Sequence, residues 1–199
     1  MSLRPLARIA ILLLLLGTPL AARGADDASG FISDLGKRAI EILTSPATPA
    51  DREQSFRALF DEGFDVPTIA RFVLGPYWRT ASDAQRQEFT KLFEAYIVHA
   101  YTVRFSEYHQ EQFKVAGTRP EGDTAALVSS QIIRTAGAPP VKVDWRVSKT
   151  ERGLKITDVI VEGISMAVTE RQEFASVIQR GGGRVDALLK LLREKLGEG

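Results

Sequence analysis

Val141-Lys142-Val143-Asp144-Trp145-Arg146-Val147-Ser148 alternates strictly between apolar and polar side chains. Successive side chains of a strand point to opposite faces, so this reads as a half-buried strand with Val141, Val143, Trp145 and Val147 on its dry face. Downstream, Glu151-Arg152-Gly153 is a turn signal. Residues 154–161 then resume the alternation with Leu154 and Ile156, and end more evenly apolar at Val159, Ile160 and Val161. The two runs predict a hairpin. Upstream, residues 124–135 are rich in β-branched and small side chains, and Ala136-Gly137-Ala138-Pro139-Pro140 ends them, since proline cannot continue a ladder. Phe113-Lys114-Val115-Ala116-Gly117 adds a further strand, closed off by Pro120-Glu121-Gly122-Asp123. The expectation is an antiparallel sheet of about four strands with one dry face.

Helical patterns flank the sheet on both sides. Phe31, Ile32, Leu35, Ala39, Ile42 and Leu43 recur at helical spacing up to Thr44, and Ser45-Pro46 ends the run. Thr48-Pro49 is an N-cap with proline at the first helical position, opening a second helix with Phe56, Leu59 and Phe60 inward and Gly63 as its stop. Asp65-Val66-Pro67 opens a brief third helix, terminated by Gly75-Pro76. Ser82-Asp83-Ala84-Gln85 is a capping box. The helix it starts runs to about Tyr108 and places Phe89, Leu92, Phe93, Tyr96, Ile97, Ala100, Tyr101, Phe105 and Tyr108 on one wide face. After the strands, Thr169-Glu170-Arg171-Gln172 reads as another capping box, before Phe174, Val177 and Ile178. Gly181-Gly182-Gly183 separates this helix from a last one carrying Val185, Leu188, Leu189, Leu192 and Leu196. Helices, a meander and two more helices make an α+β layer arrangement.

The N-terminus has a different character. Arg4 and Arg8 precede an apolar run over residues 9–16. Gly17, Thr18 and Pro19 break it, and the small residues Ala21, Ala22, Gly24 and Ala25 follow. This is the pattern of a secretory signal, read as residues 1–24, with cleavage near Gly24 or Ala25 and one domain over residues 25–199. An uncleaved anchor is the alternative, but the run falls short of the about 20 residues a spanning helix needs. With no cysteine in the chain, there is neither a lipoprotein anchor nor a disulfide, and stability must come from an apolar core. Cleavage would lower Lys+Arg from 26 to 23 against 25 acidic residues, a net charge of about −2. That balance argues against nucleic acid as the main partner, which calls for a concentrated basic surface.

Motifs for chemistry are scarce. The two histidines, His99 and His109, have no ligand-type partner at helical spacing, so neither a zinc nor a haem site is expected. Gly181-Gly182-Gly183 lacks the Lys-Ser/Thr of a phosphate loop and reads as a helix stop. Asp158 interrupts an apolar strand, and a strand-end position or an ion pair with arginine explains it better than catalysis. The aromatic face of the long helix admits two readings: plain core, or the wall of a cavity. The polar handles of Tyr96, Tyr101, Tyr108 and Trp145 suit a slot that opens to water.

Several blocks then resemble a known family: residues 64–79 (Phe64-Asp65-Val66-Pro67 through Gly75-Pro76-Tyr77-Trp78-Arg79), and Gln87-Glu88-Phe89 with Leu92-Phe93-Glu94-Ala95-Tyr96. They continue with Val143-Asp144-Trp145-Arg146-Val147, Leu154-Lys155-Ile156-Thr157-Asp158-Val159, Glu162-Gly163-Ile164-Ser165, and Arg171-Gln172-Glu173-Phe174. In this order, over nearly all of residues 25–199, they resemble the periplasmic lipid-carrier family MlaC, the toluene-tolerance auxiliary proteins. Phe72-Val73-Leu74-Gly75 and Ser129-Ser130-Gln131-Ile132-Ile133-Arg134 are similar to the hopanoid-associated HpnM subgroup.

The resemblance implies a cystatin/NTF2-like sheet-and-helix fold, with acyl chains in an apolar pocket and the headgroup near solvent. It implies no catalytic residues and no cofactor beyond the bound lipid. As partners it implies phospholipid or a hopanoid-like lipid, an MCE-domain ring on an inner-membrane ABC transporter, and an outer-membrane lipoprotein complex. The residues expected to line the pocket are Phe72, Phe89, Phe93, Tyr96, Ile97, Tyr101, Phe105, Val128, Ile132, Val143, Trp145, Val147, Ile156 and Met166. The rivals are an exported enzyme using a cone-shaped pocket with Asp158 or His99 as base, and an interaction module with a filled core.

Overall fold

The computed structural model describes residues 20–105, 111–134 and 137–197. In chain order the elements are α1 (Leu20–Thr44), α2 (Pro49–Gly63), α3 (Val66–Leu74), α4 (Tyr77–Thr80) and α5 (Asp83–Phe105), then β1 (Gln112–Glu121), β2 (Ala125–Ile133), β3 (Val141–Thr150), β4 (Gly153–Val161) and β5 (Ile164–Ser165), and finally α6 (Met166–Arg180) and α7 (Val185–Leu196). The strands form one antiparallel meander in sequence order. The expected α+β class holds, with a fifth, two-residue strand added. No described helix is long and apolar enough to cross a membrane.

A bulge at Thr157 explains why the β4 pattern loses its alternation. Val147 faces Ile156 and Arg146 faces Asp158, so Thr157 is the extra residue with no register partner, its Oγ1 bonding instead to Ser148 Oγ and Arg146 O. The extra residue moves Asp158 and Ile160 to the face opposite Ile156, and returns Val159 and Val161 to the dry one. On that dry face Ala126, Val128, Val147 and Ile156 are buried against Ala28, Ile32 and Leu35 of α1, and Phe113, Val115, Trp145, Leu154 and Val159 pack around them. Pro120 sits inside β1 without harm, because β1 is an edge strand.

The helices hold a second core. Phe60, Val73, Leu74, Phe89, Phe93, Val98, Phe174, Ile178, Leu188, Leu189 and Leu192 interlock across α2, α3, α5, α6 and α7. α2 divides the two cores: Leu59 belongs to the sheet side and Phe60 to the helical side. Phe64, at the α2 C-cap, packs on both and stacks on Phe60 with ring centroids 4.3 Å apart.

Three expectations change. α1 begins at Leu20 rather than Phe31. Gly30 weakens the local helix signal, yet Ala28, Ile32 and Leu35 continue one buried stripe. α6 begins at Met166, not Thr169. Its cap is Ser165, whose Oγ accepts from Val168 N at 3.1 Å, while Thr169 Oγ1 donates back to Ser165 O at 2.9 Å. The short α4 carried no periodic signal. By contrast the Ser82–Gln85 box is present, with Gln85 N donating to Ser82 Oγ and Ser82 N to Gln85 Oε1 at 3.2 and 2.9 Å. The expected n- and h-regions of the leader, together with Tyr108 and His109, lie outside the described residues.

Candidate functional site

The expected pocket residues fall into two groups that do not face each other. Phe89 and Phe93 are closed into the helical core, with Phe174 meeting both rings edge-on at 6.0 and 6.3 Å. Tyr96 and Ile97 pack half-buried on the same core, and Tyr101 is half-buried further along α5. The Phe105 side chain lies outside the described residues. Val128, Val147 and Ile156 fill the space under α1; Val143 is buried and Ile132 half-buried on the same strand face. Trp145 is half-buried there, edge-on to Phe113 at 6.1 Å, and its Nε1–H donates to Ser130 Oγ at 2.9 Å. Met166 opens α6, and Phe72 on α3 is exposed. α5 therefore does not close over the Trp145 strand face; that work falls to α1. The sequence could not settle which helix covers the sheet, because both amphipathic stripes suited the role.

Half-buried apolar side chains pack at the margins of both cores: Phe56, Tyr96 and Ile97 on the helical one, Phe113, Trp145 and Leu154 on the sheet one, and Phe64 on both. Half-burial of large side chains at the margin of a core leaves apolar area that a hydrocarbon ligand could cover.

The opposite sheet face carries charge. Arg146 Nε donates to Glu121 Oε2 at 2.8 Å and its Nη1 to Asp158 Oδ2 at 3.0 Å. The hydrogen bond from Arg146 to Glu121 leads the causes that hold the guanidinium above its ordinary pKa, with Asp158 adding to them. Asp158 is buried, and it also accepts from Ser165 Oγ at 2.7 Å and Ala167 N at 3.2 Å. It thus fastens the start of α6 to the sheet, which is the structural reading of this residue. A carboxylate with both oxygens occupied is a poor general base. His99 is exposed, with Nδ1 3.6 Å from Glu53 Oε2.

Beside this cluster a cleft of about 380 Å³ is lined by Thr68, Ile69, Phe72, Arg146, Thr157, Asp158, Ile160, Gly163, Ser165, Ala167 and Val168. Of the expected pocket residues only Phe72 reaches it. At about 30 Å³ per water-sized group, the cleft holds roughly a dozen such groups, at the low end of ligand sites. It was invisible in the sequence because the Thr157 bulge and the Ser165 cap build it from positions with no periodicity.

The model of the MlaC protein family matches residues 34–194, which include the helical core, the cleft and all of the buried sheet core except Ala28 and Ile32. The chain belongs to the MlaC family. The Haemophilus influenzae intermembrane phospholipid transport system binding protein MlaC is 22% identical over 129 residues, covering 63% of this chain and 59% of that protein. The Pseudomonas putida toluene tolerance protein ttg2D is 26% identical over 110 residues, covering 55% of this chain and 51% of that protein. The chain thus spans about half to three-fifths of the length of these relatives. Among solved structures, the phospholipid-binding protein from Ralstonia solanacearum, determined in complex with a phospholipid, superposes with a TM-score of 0.73 at 22% identity. The match covers 84% of this chain and 96% of that one, and fixes the fold as the same.

Proposed function

We propose that this MlaC-family chain is a carrier that takes up the tails of a phospholipid and moves the lipid between two membranes. The observation that carries the reading is the shared fold with a protein solved around a phospholipid. The names of the Haemophilus and Pseudomonas relatives support it. Export to the periplasm by the N-terminal leader, and handover to an MCE-domain ring and an outer-membrane lipoprotein complex, belong to the same proposal.

The tails lodge on the dry face of the sheet, bordered by Trp145, Phe113 and Phe64. The 380 Å³ cleft is too small for two acyl chains; in this reading loading parts α1 from the sheet or the sheet core from the helical core. Taking about 30 methylenes from water would be worth roughly 24 kcal/mol at ~0.8 each. Donor and acceptor are bilayers, however, so transfer into an equally dry site is near balance and reversible. Such a site needs few polar anchors, in keeping with the scarcity of chemical motifs.

Native mass spectrometry of protein purified from cells, with lipid extraction, tests this. A co-purified phospholipid is the expected result, and a hopanoid-like lipid would redirect the specificity. Empty protein that takes up no lipid from vesicles would overturn the carrier reading.

A further inference from the structure

Among the described residues, two buried side-chain oxygens have no hydrogen-bond partner: Glu170 Oε2 and Thr118 Oγ1. A carboxyl can reduce that cost by keeping its proton; a threonine hydroxyl has no such option. Thr118 stands on β1 where the strand pattern asks for an apolar side chain. Ala116 is the extra residue of a bulge, so that Val115 pairs with Ser130 and Thr118 with Val128. Thr118 thereby shares the dry face with Val128, which is buried in the sheet core. Valine has the same shape as threonine and suits a strand as well, and it would leave no orphan hydroxyl. For folding alone, the hydroxyl is a cost.

The neighbouring side chains cannot serve it. Its diagonal neighbours on β2 are Ala126 and Ser130. Ser130 Oγ is engaged: it donates to Val143 O at 2.8 Å and accepts from Trp145 Nε1 at 2.9 Å. A water placed there would lack the further polar side chains that hold a buried water. From β1 inward, the row Thr118, Val128, Trp145 and Val159 crosses four strands. It begins with the free hydroxyl on the edge strand and continues apolar for three strand spacings, about 14 Å. The same-face rows beside it, one ending in Val115 and Val161 and the other in Pro120 and Ile156, hold no charged side chain.

We infer that Thr118 is a specificity residue of the carrier site: its hydroxyl donates to an ester carbonyl oxygen of the bound lipid, while the acyl chain runs inward over Val128 and Trp145. The inference rests on the carrier reading. A phosphate at this place would bring full negative charge and call for Arg or Lys, and these three rows hold neither. An ester carbonyl is a neutral acceptor, which a single neutral donor satisfies. The order along the row, one donor at the sheet edge and then hydrocarbon contacts, is the order of polarity in an acyl ester. Each polar group thus leaves water for a partner rather than for an apolar wall. An ether-linked chain has no carbonyl oxygen to accept, so the site distinguishes the two linkages.

The test is a competition. Purified protein, emptied of lipid, is incubated with vesicles holding equal amounts of a diester phosphatidylglycerol and its diether analogue of the same chain length. The lipid it takes up is then counted by native mass spectrometry. The parent should hold the diester over the diether by about fivefold, the worth of one neutral hydrogen bond. Thr118→Val should take up both equally, and Thr118→Ser, which restores the hydroxyl, should keep the preference. Emptied of lipid, Thr118→Val should melt no lower than the parent, because no partner is lost. Equal uptake of both lipids by the parent, a preference that survives in Thr118→Val, or a lower melting temperature of that variant when empty would overturn the inference and leave the carrier reading standing. Uptake of neither lipid by the parent would overturn both.

Discussion

At the residue scale, Asp158 and Glu170 show two ways a carboxylate can be buried. Asp158 is surrounded by donors: Arg146, Ser165 and the Ala167 amide. Removing one member of a buried pair costs about 3–5 kcal/mol. Because Arg146 is 39% exposed, Asp158→Ala should cost roughly 2–3 kcal/mol, measured as a lower urea midpoint. Loss below about 0.5 kcal/mol would mean the pair is not structural. Glu170 is the reverse case. Its Oε2 is buried without a hydrogen-bond partner among the described residues. Burial, followed by the charge of Glu173, raises its pKa to about 7, against a smaller opposing pull from Lys195. A raised folded-state pKa means the native state holds the proton more tightly than the unfolded chain. The stability this gives is fully present below about pH 4.5 and is lost as pH rises through about 7. At about 1.4 kcal/mol per pH unit, discounted for the solvent-exposed fraction, the loss by pH 8 is about 1–2 kcal/mol. Glu170→Gln should therefore melt higher than the parent at pH 8 and match it at pH 4. The same increment at both pH values would refute the assignment.

At the element scale, strand content and most helix limits were legible because they rest on local chemistry. The Val141–Val147 alternation, the Thr48 and Ser82 caps and the Gly63 and Gly75 stops all act within a few residues. The α6 start was misread because Thr169-Glu170-Arg171-Gln172 has the spelling of a capping box, while the true cap, Ser165, is fixed from a distance by Asp158. Ser165→Ala should thus cost about 1–2 kcal/mol, and Thr169→Ala under about 0.5 kcal/mol; thermal melts showing the opposite order would restore the sequence reading. The α1–sheet contact was not legible either, since Gly36 is a poor helix former whose worth lies in its partner. A Cβ there would meet Phe113 Cδ1 and Cε1 at 2.5 Å. Gly36→Leu should wedge α1 away from β1, destabilise by about 1–3 kcal/mol and speed lipid uptake from vesicles if the tails lodge beneath α1. Unchanged uptake from a destabilised variant would move the tails elsewhere.

At the scale of the whole molecule, the two cores carry one tryptophan each. Trp145 stands on the sheet side beside Phe113, and Trp78 packs on the helical side with Arg86 5.7 Å from its ring centroid. Sequence alone put the aromatic α5 and the Trp145 strand on opposite walls of one hollow; the chain instead spends the α5 aromatics on closing a helical core around Phe174. Long-range partner choice of this kind is not encoded in periodicity, because any two apolar stripes are locally equivalent. The division makes the carrier proposal spectroscopically separable. If the tails occupy the dry face, loading dries the half-buried indole of Trp145 and leaves Trp78 in its existing surroundings. Emission should shift to the blue on lipid uptake, the shift should survive in Trp78→Phe, and it should vanish in Trp145→Phe. A shift that follows Trp78 would place the tails within the helical core, and so would require Phe89, Phe93 and Phe174 to separate.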